Sequence, residues 1–195
     1  MLPVASVDKY GFGDKVNKIK IQNVVATAAL GTNIDLIAIM KVFRNVEYRP
    51  KSFPGLVFRL KRPKTATLIF KNGKMVCTGS KSAKLAKRAV KNVVKELKKA
   101  GFIINKVPDV IIQNMVATAH LGSNADLEAA ADILDDIMYE PEQFPGAVYR
   151  MDDPKVVILI FTTGNIVITG AKTEEQVNIA ADKIRAILNE NGILF

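Results

Sequence analysis

Hydrophobic and polar residues alternate along residues 18–28, KIKIQNVVATA, with several β-branched side chains, and this two-residue period predicts a strand. Gly31-Thr32-Asn33 ends it. Residues 35–43 follow as a short helix, with Asp35 beside its positive N-terminal end. Residues 47–49 and 56–60 predict two strands, joined through Pro50 and the turn Phe53-Pro54-Gly55. Residues 66–70 and 75–78 predict two more, joined by Lys71-Asn72-Gly73-Lys74, in which Asn-Gly is a hairpin signal. Ser80 is the expected cap of a long helix running to Lys99 and stopped by Gly101. Its apolar residues Ala83, Ala86, Val90, Val93, Val94 and Leu97 recur at helical spacing.

The same order then returns. IQNVVATAALG at residues 21–31 becomes IQNMVATAHLG at 112–122, an offset of 91. That offset carries Phe53-Pro54-Gly55 to Phe144-Pro145-Gly146, Ile69-Phe70 to Ile160-Phe161 and Thr78-Gly79 to Thr169-Gly170, with no gap. Thr173, followed by Glu174, Glu175 and Gln176, is the expected cap of the last helix. The chain is therefore a β-α-β-β-β-β-α module written twice, residues 18–105 and 106–195, after a segment 1–17 that has no counterpart. Two copies are too few for an open solenoid, and the connection at 100–108 is short, so the repeats are expected to form one globular unit. Helices should cover one face of an antiparallel sheet.

The other face is unusual. Ala66, Leu68 and Phe70 share one parity while Thr67 and Ile69 take the other; Val157, Leu159 and Phe161 oppose Ile158 and Ile160. Both faces are apolar, so something must cover the face opposite the helices. A second sheet, a dimer interface or a broad apolar-tolerant ligand all satisfy that requirement.

Charge narrows the choice. Residues 1–105 hold 22 Lys or Arg against 5 Asp or Glu; residues 106–195 hold 6 against 14, so the halves carry +17 and −8. The basic half suits an anionic partner such as nucleic acid or an anionic membrane. The sole cysteine, Cys77, excludes an intrachain disulfide. With neither a signal-peptide pattern nor a run of about 18 apolar residues, an intracellular, non-membrane protein is expected. Catalytic motifs are missing: there is one histidine, His120, at a strand end, and no metal-ligand spacing, phosphate loop or nucleophile motif. Asp135-Asp136 and Asp152-Asp153 read as helix surface and turn. No enzyme and no cofactor are expected.

The doubled Gln-Asn-x-Val-Ala-Thr strand, the doubled Phe-Pro-Gly and the doubled Pro-Lys…Leu-Ile-Phe…Gly-x-x-Val-x-Thr-Gly segment together resemble the conserved core of TATA-box-binding proteins, of the archaeal kind. The resemblance runs from residue 18 to the end. It implies an α+β saddle: a pseudo-twofold, curved ten-stranded antiparallel sheet with four helices on the convex face. It also implies a general transcription initiation factor whose concave face sits in the minor groove of an AT-rich TATA box and bends it. Phe53 with Phe70 and Phe144 with Phe161 would be the intercalating pairs. Asn23 and Asn114 would meet the acceptors common to A·T and T·A pairs. Val25, Leu68, Val76, Val116, Leu159 and Val167 would line the groove, with Thr27, Thr78, Thr118 and Thr169 adding short polar contacts. Arg59, Lys64, Lys74, Lys81, Arg150, Lys155 and Lys172 would hold phosphates. Lys74 becomes Asn165 and Arg62 becomes Asp153 in the second copy, so the grip should be unequal.

The resemblance also implies a partner. Tyr139-Glu140-Pro141-Glu142-Gln143 matches the loop through which the family binds transcription factor B, and indirectly RNA polymerase; Glu140, Glu142 and Gln143 are the expected contacts. The basic helix at 81–99 would lie on the convex side. A rival reading is a duplicated protein-interaction scaffold that uses the apolar sheet face to bind protein.

Overall fold

The computed structural model describes residues 16–195, so all but the end of the unmatched segment 1–17 lies outside the described residues. Its elements are β1 (Asn17–Ala29), α1 (Leu36–Val42), β2 (Val46–Glu47), β3 (Leu56–Lys61), β4 (Lys64–Ile69), β5 (Lys74–Ser80) and α2 (Ala83–Lys99). Then come β6 (Ile111–His120), α3 (Leu127–Ile133), β7 (Ile137–Met138), β8 (Gly146–Met151), β9 (Val156–Phe161), β10 (Asn165–Ala171) and α4 (Glu174–Glu190). This is the doubled order that the pattern predicts. The sheet has ten strands, ordered β2-β3-β4-β5-β1-β6-β10-β9-β8-β7, so each copy contributes its strands in mirrored sequence. Residue contacts divide the chain into Gln22–Asn114 and a second unit of Met115–Phe195 with the described part of Met1–Ile21. The division falls inside β1 and β6, not at the connection between the copies.

In Gln22–Asn114 the helices bury one face of the strands. Ala89, Val90, Val93, Val94 and Leu97 of α2 are buried in one cluster with Leu56, Phe58, Ile69, Met75 and Cys77, and Ala86 is buried as well. Ala89 joins the predicted stripe, while Ala83 is only half-buried. Phe43 meets Phe58 edge to face, with ring centroids 5.0 Å apart. Phe58 is 1% exposed, and truncating a buried phenylalanine typically costs about 3–5 kcal/mol. In the second unit Val177, Ala180, Ala181, Ile184 and Leu188 of α4 are buried, as are Ile158, Ile160, Ile166 and Ile168 of the sheet.

Helix ends follow local chemistry. Asp35 caps α1, accepting from the Ile37 and Ala38 N–H groups. Thr173 caps α4 through the Gln176 N–H, while the Gln176 side chain reaches back to the Lys172 N–H. The cap of α2 is Ser82, whose hydroxyl accepts from the Leu85 N–H, and not Ser80. Ser80 instead closes β5 and is buried, and its hydroxyl has no hydrogen-bond partner among the described residues. The two serines stand on either side of Lys81; the ladder extends to the first and leaves the second for the helix.

Candidate nucleic-acid interface

The strand residues facing away from the helices are half-exposed in both units. All twelve predicted groove readers lie among them: Asn23, Val25, Thr27, Leu68, Val76 and Thr78 in one copy, Asn114, Val116, Thr118, Leu159, Val167 and Thr169 in the other. Cross-strand register arranges them in rows. Thr27 pairs with Val76, Val76 with Leu68 and Leu68 with Val57. In the second unit Thr118 pairs with Val167, Val167 with Leu159 and Leu159 with Val148. Val57 and Val148 thus complete the rows. Sequence reasoning missed them, although each is two residues before an arginine, Arg59 or Arg150, that it placed on this face. A second row runs Thr78, Ala66, Arg59 in one unit and Thr169, Val157, Arg150 in the other.

A bulge stands beside each threonine-glycine pair. Val24 faces Ser80 and Ala26 faces Cys77, so β5 advances three residues while β1 advances two. Met115 with Ala171 and Ala117 with Ile168 repeat this in β6 and β10. The bulged residues Gly79 and Gly170 have φ of +96° and +100°, a region that side chains other than glycine's disfavour. The freed Gly79 N–H donates to the Asn23 side-chain oxygen at 2.7 Å. That bond identifies the oxygen end of the carboxamide, so Nδ2 is the end left to donate; it lies 3.0 Å from the Thr78 hydroxyl. Gln113 Nε2 donates to the Thr27 hydroxyl at 2.8 Å, a contact that the sequence did not reveal.

Two aromatic pairs mark the strand ends. Phe53 and Phe70 meet edge to face at 5.9 Å between centroids; Phe144 and Phe161 do so at 5.8 Å. Phe53 is 41% exposed and Phe144 37%, so neither ring is a core residue. The preceding turns hold them. The Arg49 carbonyl accepts from the Ser52 and Phe53 N–H groups, and the Glu140 carbonyl from those of Gln143 and Phe144. A Cβ on Gly55 would stand 2.7 Å from the Phe53 ring and 3.0 Å from the Phe70 ring. The glycine of Phe-Pro-Gly is therefore what lets the rings approach.

The predicted phosphate cations Arg59, Lys64, Lys74, Lys81, Arg150, Lys155 and Lys172 are all exposed. Arg59 is not unpaired: its Nε lies 3.2 Å from Glu47 Oε1. Asp153, the counterpart of Arg62, is tied to Lys183 of α4. Glu140, Glu142 and Gln143 are exposed on the turn before Phe144, where the first copy has Arg49, Lys51 and Ser52. His120 is a structural residue whose Nδ1 accepts from the Gly122 N–H at 2.9 Å. No helix among the described residues is long and apolar enough to cross a membrane. None of their His, Cys, Asp and Glu side chains form a group of three or more able to hold a metal.

Comparison with known proteins gives one answer. Residues 18–100 and 109–191 each match the family profile described as transcription factor TFIID, or TATA-binding protein. The TATA-box-binding protein of Archaeoglobus fulgidus is 51% identical over 179 residues, covering 91% of this chain and 98% of its own. That of Methanocaldococcus jannaschii is 51% identical over 173 residues, covering 89% and 94%. The solved structure of Methanococcus jannaschii TBP superposes with a TM-score of 0.82 at 51% identity, covering 89% of this chain and 99% of that one. Fold, repeat and sequence agree: the chain belongs to the TATA-box-binding protein family, whose members are DNA-binding transcription factors and not enzymes.

Proposed function

We propose that this protein is a general transcription initiation factor. It binds the minor groove of AT-rich TATA-box DNA, bends the duplex by inserting phenylalanines, and recruits transcription factor B and, through it, RNA polymerase. It would act inside the cell, on the nucleoid. The observation that carries the reading is the twin aromatic pair, each at the end of a strand that contributes to the apolar, half-exposed face.

The chemistry of each part suits the groove. Val25, Leu68, Val76 and their counterparts present methyl groups where guanine would place its 2-amino donor, so they favour A·T steps by shape. Asn23 and Asn114 present amide donors to the N3 and O2 acceptors that A·T and T·A share. Phe53, Phe70, Phe144 and Phe161 act as wedges; unstacking a step costs a few kcal/mol, offset by the contacts that a bent duplex makes. Arg59, Lys64, Lys74 and Lys81, with Arg150, Lys155 and Lys172, position the backbone without reading sequence. Glu140, Glu142 and Gln143 form the surface for transcription factor B, where acidity repels DNA and attracts a basic partner. Repeats 18–105 and 106–195 work as matched halves of one reader.

A gel shift and end-labelled energy transfer on an AT-rich promoter duplex and a scrambled one test this. Selective retention and bending are expected, and both should fall sharply in Phe53→Ala with Phe144→Ala. Bending unchanged in that double variant would remove intercalation. Equal retention of both duplexes would favour the rival protein-interaction scaffold.

A further inference from the structure

We infer that Gln113 is a positioning residue for base selection: its side-chain amide keeps the Thr27 hydroxyl hydrogen free of the protein, as a donor to the acceptors of A·T steps. The inference rests on the DNA-binding reading above.

The doubled strand motif opens on a glutamine, Gln22 or Gln113, to which the groove-reading assignments give no part. Gln113 lies on β6 and Thr27 on β1, neighbouring strands of the sheet, and both belong to the unit Gln22–Asn114. Gln113 Nε2 donates to the Thr27 hydroxyl oxygen at 2.8 Å. On its other side Thr27 stands opposite Val76 of β5, whose side chain offers no hydrogen bond. The duplication carries Gln113 and Thr27 to Gln22 and Thr118, so each copy of the motif holds both residue types.

A hydroxyl has one hydrogen and two lone pairs, whereas an amide nitrogen donates and does not accept. The Thr27 hydrogen is therefore excluded from the direction of Gln113. Thr78, also among the groove readers, behaves differently. Its hydroxyl accepts from Asn23 Nδ2 at 3.0 Å and returns a bond to Asn23 Oδ1 at 3.2 Å. The Thr78 hydrogen thus has a protein acceptor, while that of Thr27 has none among the described residues. Thr27 is half-buried on the reading face, so its hydrogen is left for the DNA.

This polarity bears on guanine. A·T and T·A present only acceptors in the minor groove, and G·C adds the guanine 2-amino donor. The Thr27 hydroxyl as a donor matches the first pattern. To accept from the amino group it must turn its hydrogen away from the groove, where Val76 is apolar and Gln113 is itself a donor. An unsatisfied O–H is the cost of admitting guanine.

Gln113→Glu tests this in the full chain, because it keeps the shape of an exposed side chain and replaces its donor by an acceptor. Fluorescence anisotropy is measured on an AT-rich duplex and on a set carrying one G·C pair placed at each step in turn. The glutamate draws the Thr27 hydrogen to itself and leaves lone pairs facing the groove. The penalty for G·C should shrink about three- to tenfold at one step and stay unchanged at the others. In a Thr27→Val background the exchange at 113 should alter no penalty, and in Thr27→Ser, which keeps the hydroxyl, the effect should return. Affinity lowered equally on every duplex is the added charge alone and overturns the inference. A changed penalty that persists in Thr27→Val overturns it as well, since Gln113 then acts without Thr27. A wild type that binds AT-rich and scrambled duplexes equally overturns the DNA-binding reading itself. Melting curves that match wild type keep each result interpretable.

Discussion

The side-chain oxygen of Asn23 accepts a hydrogen bond of 2.7 Å from the backbone N–H of Gly79, at the point where β5 holds one residue more than β1. A side chain thereby takes the place of a ladder partner, and its amino end donates to the Thr78 hydroxyl on the half-exposed face. Asn23→Ala should lower stability by about 1 kcal/mol, read as a melting-temperature loss of about 2–4 °C. Asn23→Asp keeps the acceptor for Gly79 but loses the donor and adds a charge. It should melt close to wild type and lose binding to the AT-rich duplex. An aspartate variant that binds normally would remove Asn23 from the reading surface.

Gly55 and Gly146 control the approach of the two ring pairs. Alanine at 55 meets only ring atoms, whereas alanine at 146 also meets the Ile160 carbonyl at 3.0 Å. Neither glycine has the positive φ that alanine resists. Gly55→Ala should therefore change stability by less than about 1 kcal/mol, since the lost unfolded-state entropy offsets the shifted rings. Gly146→Ala should cost more. Each should reduce DNA bending as measured by energy transfer, and a normal bend in both would show that ring spacing is unimportant.

Glu142 and Lys51 occupy equivalent places on the corresponding turns of the two copies. Glu142→Arg gives the second turn the first one's charge. Ternary-complex formation with transcription factor B should weaken about tenfold or more, while DNA binding stays intact or tightens. A native gel with and without the factor separates the two effects.

Burial pushes the Cys77 thiol above its ordinary range, partly offset by the Thr67 and Thr65 hydroxyls. The protonated form is thus favoured in the folded state. Its stabilising effect is complete below the unfolded-state value of 9.0 and is lost as pH rises through the higher folded value. Melting temperature should decline at alkaline pH, and less so in Cys77→Ala than in the wild type. Native protein should resist alkylation at neutral pH, with modification following the rate of opening.

The repeat and the element order were legible in the residues, because side-chain period and a 91-residue offset are one-dimensional signals; with both sheet faces apolar, the expected groove readers were named by the family resemblance, and the structure places them on the half-exposed face. Pairings were not legible. The Glu47–Arg59 contact crosses from β2 to β3, and Gln113 reaches Thr27 from a strand 86 positions away. The bulge at Gly79 was hidden because an extra residue on one strand shows only when its partner strand is in place. Ser80 looked like a cap because Ser-Lys-Ser offers two, and the choice was made by how far β5 continued to pair.

Ser80 also bears on how readily each copy opens locally. Its counterpart, Ala171, is equally buried and has no hydroxyl to leave unbonded. Thr65 and Thr67 likewise meet Val156 and Ile158 across the duplication. The chain therefore holds a relative of itself, and each copy records which substitutions the other's backbone already tolerates. Hydrogen exchange should find the amides around Ser80 opening sooner than those around Ala171, a difference in local breathing between two halves drawn to one plan.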